Sequence, residues 1–225
     1  MSRSSYDVHV TYGEASLTSA DLVQWNRARV RQRAARLVRA GTESVREIPF
    51  GMILVSELQD CIDRGGEQFS PQASLPLELF WTASRGVYTY YSALELGHRG
   101  RDGYLTFASV GALGEGLALF VLEDRWVAPG LFGLELMYRP LGDSPDLLMY
   151  YASQPDRLAL VEAKATLGDD VGPLLQEATA TIIEIFKGWQ QHRPLSSTDA
   201  FAVATSLGTE GRLHTYVLKL RWAGV

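Results

Sequence analysis

Asp146 and the triplet Glu162-Ala163-Lys164 fall within one stretch, SPDLLMYYASQPDRLALVEAKATLG. Their types and spacing suit chemistry on a charged substrate. Each apolar run, LLMYY and LALV, reads as a short buried strand, and QPDR between them has turn composition. Asp146 opens the first strand. Glu162 and Lys164 close the second, two apart and therefore on one face, while Ala163 points to a packed rear face. Carboxylates are hard oxygen ligands for a cation, and an ammonium beside them can steady negative charge. An acid and an amine buried at a strand end without such a use would be costly.

The elements around this hairpin must hold it in place. SVGALGEGLALFVLEDRW reads as an amphipathic helix entered through a glycine-rich turn, and LFGLELMYRP as a strand closed by Pro140. After the hairpin, DDVGPLLQEATATIIEIFKGWQQ is a long helix, with acids and a proline at its start and Lys187 near its end. AFAVATSLG and LHTYVLKLRW are two further strands. Helix, three strands, helix, two strands implies an α/β fold with a mixed sheet flanked by helices.

The earlier part of the chain is less regular. YDVHVTY suggests a short strand. LTSADLVQWNRARVRQRAARLVRAG is a helix capped at Thr18 or Ser19, with Asp21 in its first turn and Gly41 at its end. ESVREIPFGMILVSELQDCIDRGG suggests more helix, broken near Pro49. Residues 65–76 look like a loop, and LELFWTASRGVYTYYSALELG is open between helix and strand. The expected division is a helical or mixed region over 1–105 and a second domain over 106–225.

With 225 residues, 46% hydrophobic and 21% charged, the chain can bury a full core and has ordinary globular composition. No apolar run approaches the roughly 20 residues that span a bilayer, so no membrane partner is expected. The start, MSRSSYDVHV, lacks the apolar core of a secretory signal. One cysteine, Cys61, excludes an internal disulfide and a cysteine-based zinc site, and the four histidines show no ligand spacing. A cytoplasmic protein is the simplest expectation. A net charge of −5 argues against a general nucleic-acid coat. The charge is uneven, however, and RARVRQRAARLVR carries six arginines with no acid among them.

Pro145-Asp146 followed by Glu162-Ala163-Lys164, in that order of elements, resembles the PD-(D/E)xK nuclease superfamily. The resemblance covers roughly residues 108–222. It implies a restriction-endonuclease-like core, αβββαβ, and a magnesium-dependent nuclease hydrolysing phosphodiester bonds, most simply in DNA, with RNA as a further substrate class. In this resemblance Asp146 and Glu162 bind Mg2+, with Mn2+ able to substitute, helped by the backbone carbonyl of Ala163. Lys164 assists the water or the phosphate. Glu115, in GEGLA, matches the acid many members carry on the first core helix and would join the metal shell. Gln176, in LLQEA, stands where RecB-like members have a glutamine; the tyrosine they often carry four residues on is Ala180 here. Products with a 5′-phosphate are implied, and a homodimer would bring two sites to a duplex.

Each residue also has a plainer reading. Glu162 and Lys164 could be an exposed strand-end ion pair, Asp146 a turn residue, Glu115 a first-turn helix acid, and Gln176 a solvated side chain. Arg29, Arg33 and Arg36 share one face of their helix. They are placed to contact nucleic-acid phosphates, or else they form a solvated helix face or pair with acids elsewhere. Trp25, Trp81, Tyr88, Tyr90 and Tyr91 could stack on unpaired bases or fill the core, and Cys61 reads as a small buried hydrophobe. The alternative function is a catalytically inactive binding, assembly or regulatory protein on the same fold.

Overall fold

Alternating side chains fix which face each strand presents, and one strand shows how deeply the sheet is buried. Thr198–Ser206, TDAFAVATS, is buried at every position, as a central strand covered on both faces must be. The structure, a computed structural model, describes residues 5–23, 26–43, 46–54, 107–123, 131–134, 145–151, 153–166, 168–189, 198–206 and 212–224. These form β1 (Ser5–Leu17), α1 (Arg27–Glu43), β2 (Arg46–Leu54), α2 (Phe107–Glu123), β3 (Leu131–Leu134), β4 (Leu147–Tyr151), β5 (Gln154–Thr166), α3 (Gly172–Trp189), β6 (Thr198–Ser206) and β7 (Arg212–Trp222).

Among the described residues the strands make one seven-stranded sheet, ordered β2-β1-β7-β6-β5-β4-β3. It is mixed: β5 and β6 run parallel, as do β1 and β7, and the other neighbours are antiparallel. Helix α3 crosses from β5 to the parallel β6, the connection such a pair requires. The protein is therefore α/β, with helices on both faces of a mixed sheet. On one face α1 and α3 share a core with the sheet, through Val30, Ala34, Leu37, Ile182, Phe186, Leu160, Ala202 and Leu218. Helix α2 packs on β5 and β3 from the other face, burying Leu117, Ala118, Val121 and Leu122. The described part of residues 1–105 thus joins the same sheet and core as the later strands. Among the described residues no helix is long and apolar enough to cross a membrane.

Several expectations are corrected. Residues 46–54 form a strand, not a helix, because a short apolar run does not distinguish the two by period. Pro49 is tolerated there: β2 is an edge strand, and the register shifts opposite it, between Val8 and His9. The glycines expected as a turn before α2 lie inside the helix. QPDR, expected as the turn, belongs to β5, and Gln154 already pairs with Tyr151. Cys61, His98, His192, Trp25, Trp81 and the tyrosines at 88, 90 and 91 lie outside the described residues.

The arginine helix is also shorter at its start than expected. Thr18 precedes a 3-10 turn, Ser19–Asp21, and α1 begins at Arg27, where Asn26 Oδ1 accepts from the Arg29 amide at 3.1 Å. The helix runs past Gly41 to Glu43. Gly41 is needed for approach rather than termination. A Cβ there would strike Leu218, and one on Gly13 would sit 2.5 Å from the Gly41 carbonyl oxygen, so this pair of glycines lets α1 lie directly on β1 and β7.

Asp21 is not a first-turn acid of α1 but a fully buried knot between that helix and the segment before it. Its Oδ2 accepts from the Thr18 amide (2.8 Å) and hydroxyl (2.7 Å), and its Oδ1 meets Arg33 Nε at 2.7 Å and Arg36 Nη2 at 2.9 Å. Asp21→Asn keeps the shape and drops the charge. It is expected to cost about 2 kcal/mol, the scale of hydrogen bonds to a charged group; a urea midpoint unchanged from wild type would contradict this.

Candidate active site

The β4–β5 hairpin is built as its alternation requires. Leu147 pairs with Val161, so Asp146, one residue earlier, comes level with Glu162 on the face that also carries Lys164. Asp146 Oδ2 accepts from the Ala163 amide at 2.9 Å. That bond fixes the carboxylate where β4 parts from β5. Lys164 Nζ then donates to Glu162 Oε1 at 2.5 Å and reaches Asp146 Oδ2 at 3.5 Å. The side chain of Glu162 is 5% exposed, that of Asp146 18% and that of Lys164 28%, so the group opens to solvent on the Asp146–Lys164 side. The second oxygen of Glu162, Oε2, is buried and has no hydrogen-bond partner.

Burial pushes the Glu162 carboxyl up, the neighbouring Asp146 charge pushes it further, and Lys164 only partly offsets them, leaving it at about 7. Burial works against the Lys164 ammonium, but Asp146 and Glu162 outweigh it and hold its pKa above the usual lysine range. At neutral pH the trio is thus an ammonium facing two carboxyls, one of them close to its titration point.

Glu115 approaches the same strand end from the opposite face. Gly114 is pressed so close to β5 that a Cβ there would lie 2.6 Å from Ala165 Cβ, one residue beyond Lys164. Glu115, the next residue of α2, is buried. The structure therefore brings Asp146, Glu162 and Lys164 into direct contact, with Glu115 on the helix packed behind them. Gln176 is placed elsewhere. It is exposed and lines a groove of about 290 Å³ between α1 and α3, with Arg27, Arg31, Glu177 and Glu184. Arg33 and Arg36 pair with Asp21, and Arg29 is exposed.

Among the described residues no cluster of three or more acids, histidines or cysteines is arranged to hold a metal ion. The donor set here is a pair of carboxylates. It suits magnesium, which binds through one or two carboxylates and keeps several waters. The buried, unpartnered Oε2 of Glu162 fits a hard cation as well. Ala163 fits too: in an extended strand its amide and carbonyl point to the same edge, and the amide points at Asp146.

No family model matches the chain, and no curated protein or solved structure matches it either.

Two further polar groups assemble that no sequence motif marks. Asp199, buried at the start of β6, accepts from Tyr151 Oη (2.6 Å) and Arg157 Nη2 (2.9 Å) and pairs with Lys219 Nζ at 3.1 Å. Burial alone would raise its pKa, but those partners hold it below the ordinary value, and Tyr151 is raised by burial and by Asp199. The available signal was a lone acid heading an otherwise apolar strand; its partners come from three other strands. The second group is His9, Thr11, His214 and Tyr216, on β1 and β7, where Thr11 Oγ1 and His214 Nε2 lie 2.9 Å apart. Nothing local links these residues.

Proposed function

We propose that this protein is a metal-dependent nuclease with a restriction-endonuclease-like core, hydrolysing phosphodiester bonds, most simply in DNA. The carrying observation is the convergence of Asp146, Glu162 and Lys164 at one strand end, with a buried Glu162 oxygen left without a partner. Further support comes from the run α2-β3-β4-β5-α3-β6, which has the αβββαβ order of that core. Asp146 and Glu162 would hold Mg2+, with the Ala163 carbonyl on the same edge and Glu115, on the helix behind that strand end, as an auxiliary acid reaching the ion only through water. When bound, the ion would polarise the phosphate and lower the pKa of an attacking water. Lys164 stays protonated between its two acids. It therefore serves as a donor, orienting the water or meeting charge that develops on the phosphate oxygens, rather than as a base.

One observation favours a second reading, an inactive binding or assembly protein. Lys164 already bridges both carboxyls, and such a knot is self-sufficient. Cleavage separates the two. Supercoiled plasmid incubated with protein and Mg2+ or Mn2+ is expected to be nicked or linearised, and chelator is expected to stop it. If plasmid, linear duplex, single-stranded DNA and RNA all remain intact with either ion, the second reading stands.

A further inference from the structure

The sheet register carries the face of the candidate site across three more strands. Lys164 pairs with Ala204, Ala204 with Tyr216, and Tyr216 with Thr11. In the next row outward Thr166 pairs with Ser206, Ser206 with His214, and His214 with His9. Directly opposed residues share a face, so His9, Thr11, His214 and Tyr216 stand on the face of Glu162 and Lys164, at the same end of the sheet. With strands about 4.8 Å apart, Tyr216 lies about 10 Å from Lys164 and His9 about 14 Å from Thr166.

These side chains form an ordered aromatic surface. The His214 ring lies against Tyr216, centroids 4.3 Å apart and planes at 34°, and His9 meets His214 edge-on at 6.3 Å. Thr11 anchors His214 through Nε2. His9 is exposed, and His214 and Tyr216 are half-buried. The contact of α1 with the sheet at Gly41 reaches Gly13 and Leu218, one row further in than Tyr216 and Thr11. The segment after β5 borders the surface on the other side, where Ser206 Oγ donates to the Gly168 carbonyl at 2.8 Å, and it carries exposed Asp169 and Asp170. Two carboxylates there repel a phosphate but not an uncharged base.

We infer that His9, His214 and Tyr216 are a stacking platform for an unpaired base next to the scissile phosphate, making single-stranded nucleic acid the preferred substrate. This rests on the nuclease reading of Asp146, Glu162 and Lys164. Aromatic rings stack on bases irrespective of sequence, whereas a paired base is already stacked within its duplex and cannot reach a platform set this close to the reacting phosphate.

The test uses the full chain. Binding of a fluorescein-labelled single-stranded DNA and of the matching duplex is measured by anisotropy in the Lys164→Ala background, with and without His9→Ala, His214→Ala or His214→Gln. In the otherwise wild-type chain, kcat and KM are measured on the same DNAs. His9→Ala, at an exposed position, and His214→Gln, which keeps a hydrogen-bonding side chain towards Thr11, guard against loss of the fold. The expected result is tighter binding of the single strand, weakened about tenfold by the histidine substitutions with duplex binding unchanged, and a KM raised by the same factor at constant kcat. Equal losses on both DNAs, or none, would overturn the platform while the wild-type enzyme still cleaves. If wild type neither cleaves nor binds either DNA, the nuclease reading itself falls and takes the platform with it.

Discussion

Lys164→Ala is expected to lower metal-dependent cleavage by about two to three orders of magnitude, the usual cost of removing one group that meets transition-state charge. Among the described residues Lys164 is the cation that pairs with both acids, at 2.5 Å from Glu162 and 3.5 Å from Asp146, and it remains an ammonium there. Nothing that alanine presents can donate to a water or a phosphate oxygen. Lys164→Arg should not rescue the rate, because the planar guanidinium is larger and aims its donors differently. Single-turnover nicking of plasmid at saturating Mg2+ is the measurement. A Lys164→Ala rate within a few-fold of wild type would remove this residue from the chemistry and leave the ion-paired knot as its role. Without metal, the same substitution leaves Asp146 and Glu162 facing each other uncompensated. The variant should therefore be less stable than wild type at pH 8 and recover more on addition of Mg2+.

The second large effect is on stability. Glu162 titrates at about 7 in the folded protein against an ordinary value of 4.5, so the folded state holds its proton more tightly than the unfolded state does. Below pH 4.5 the carboxyl is neutral in both states and carries no penalty. As pH rises from there to about 7, the unfolded carboxyl ionises freely while the folded one resists. The metal-free protein consequently loses stability across that window, by an amount on the order of 3 kcal/mol above it. Glu162→Gln should flatten this dependence. It is expected to unfold at higher urea than wild type at pH 8 and at no higher urea near pH 4.5. On the proposed metal-binding role of Glu162, magnesium at pH 8 should raise the wild-type midpoint and leave that of Glu162→Gln nearly unmoved, because the ion would bind the ionised carboxylate. Parallel urea midpoints for the two proteins from pH 4.5 to 8 would show that Glu162 is not held in a destabilising environment.

Much of the hairpin was legible from the chain alone, because its contacts are local. Period-two alternation places Glu162 and Lys164 on one face wherever β5 sits, and antiparallel pairing of β4 with β5 brings Asp146 level with them. The helix after the hairpin was equally readable, from the acids and proline at its start and Lys187 near its end. Arg46–Leu54 was misread for the converse reason. A short apolar run suits a strand or a helix, and pairing with β1 decided between them.

What the sequence determined by itself, then, is the set of charges at the end of one hairpin and the faces of its strands and helices. Both follow from backbone periodicity over a few residues. Tertiary structure alone decided that β1 lies parallel to β7, that Arg33 and Arg36 turn to a buried Asp21, and that Asp199 collects a lysine, an arginine and a tyrosine from three strands. It also decided that His9 stands opposite His214, 205 positions along the chain. Such pairs carry no local signature. A charge left buried without a partner is costly, so burial of Asp21 and Asp199 demands cations, but only the packing of the whole sheet selects which ones come within reach.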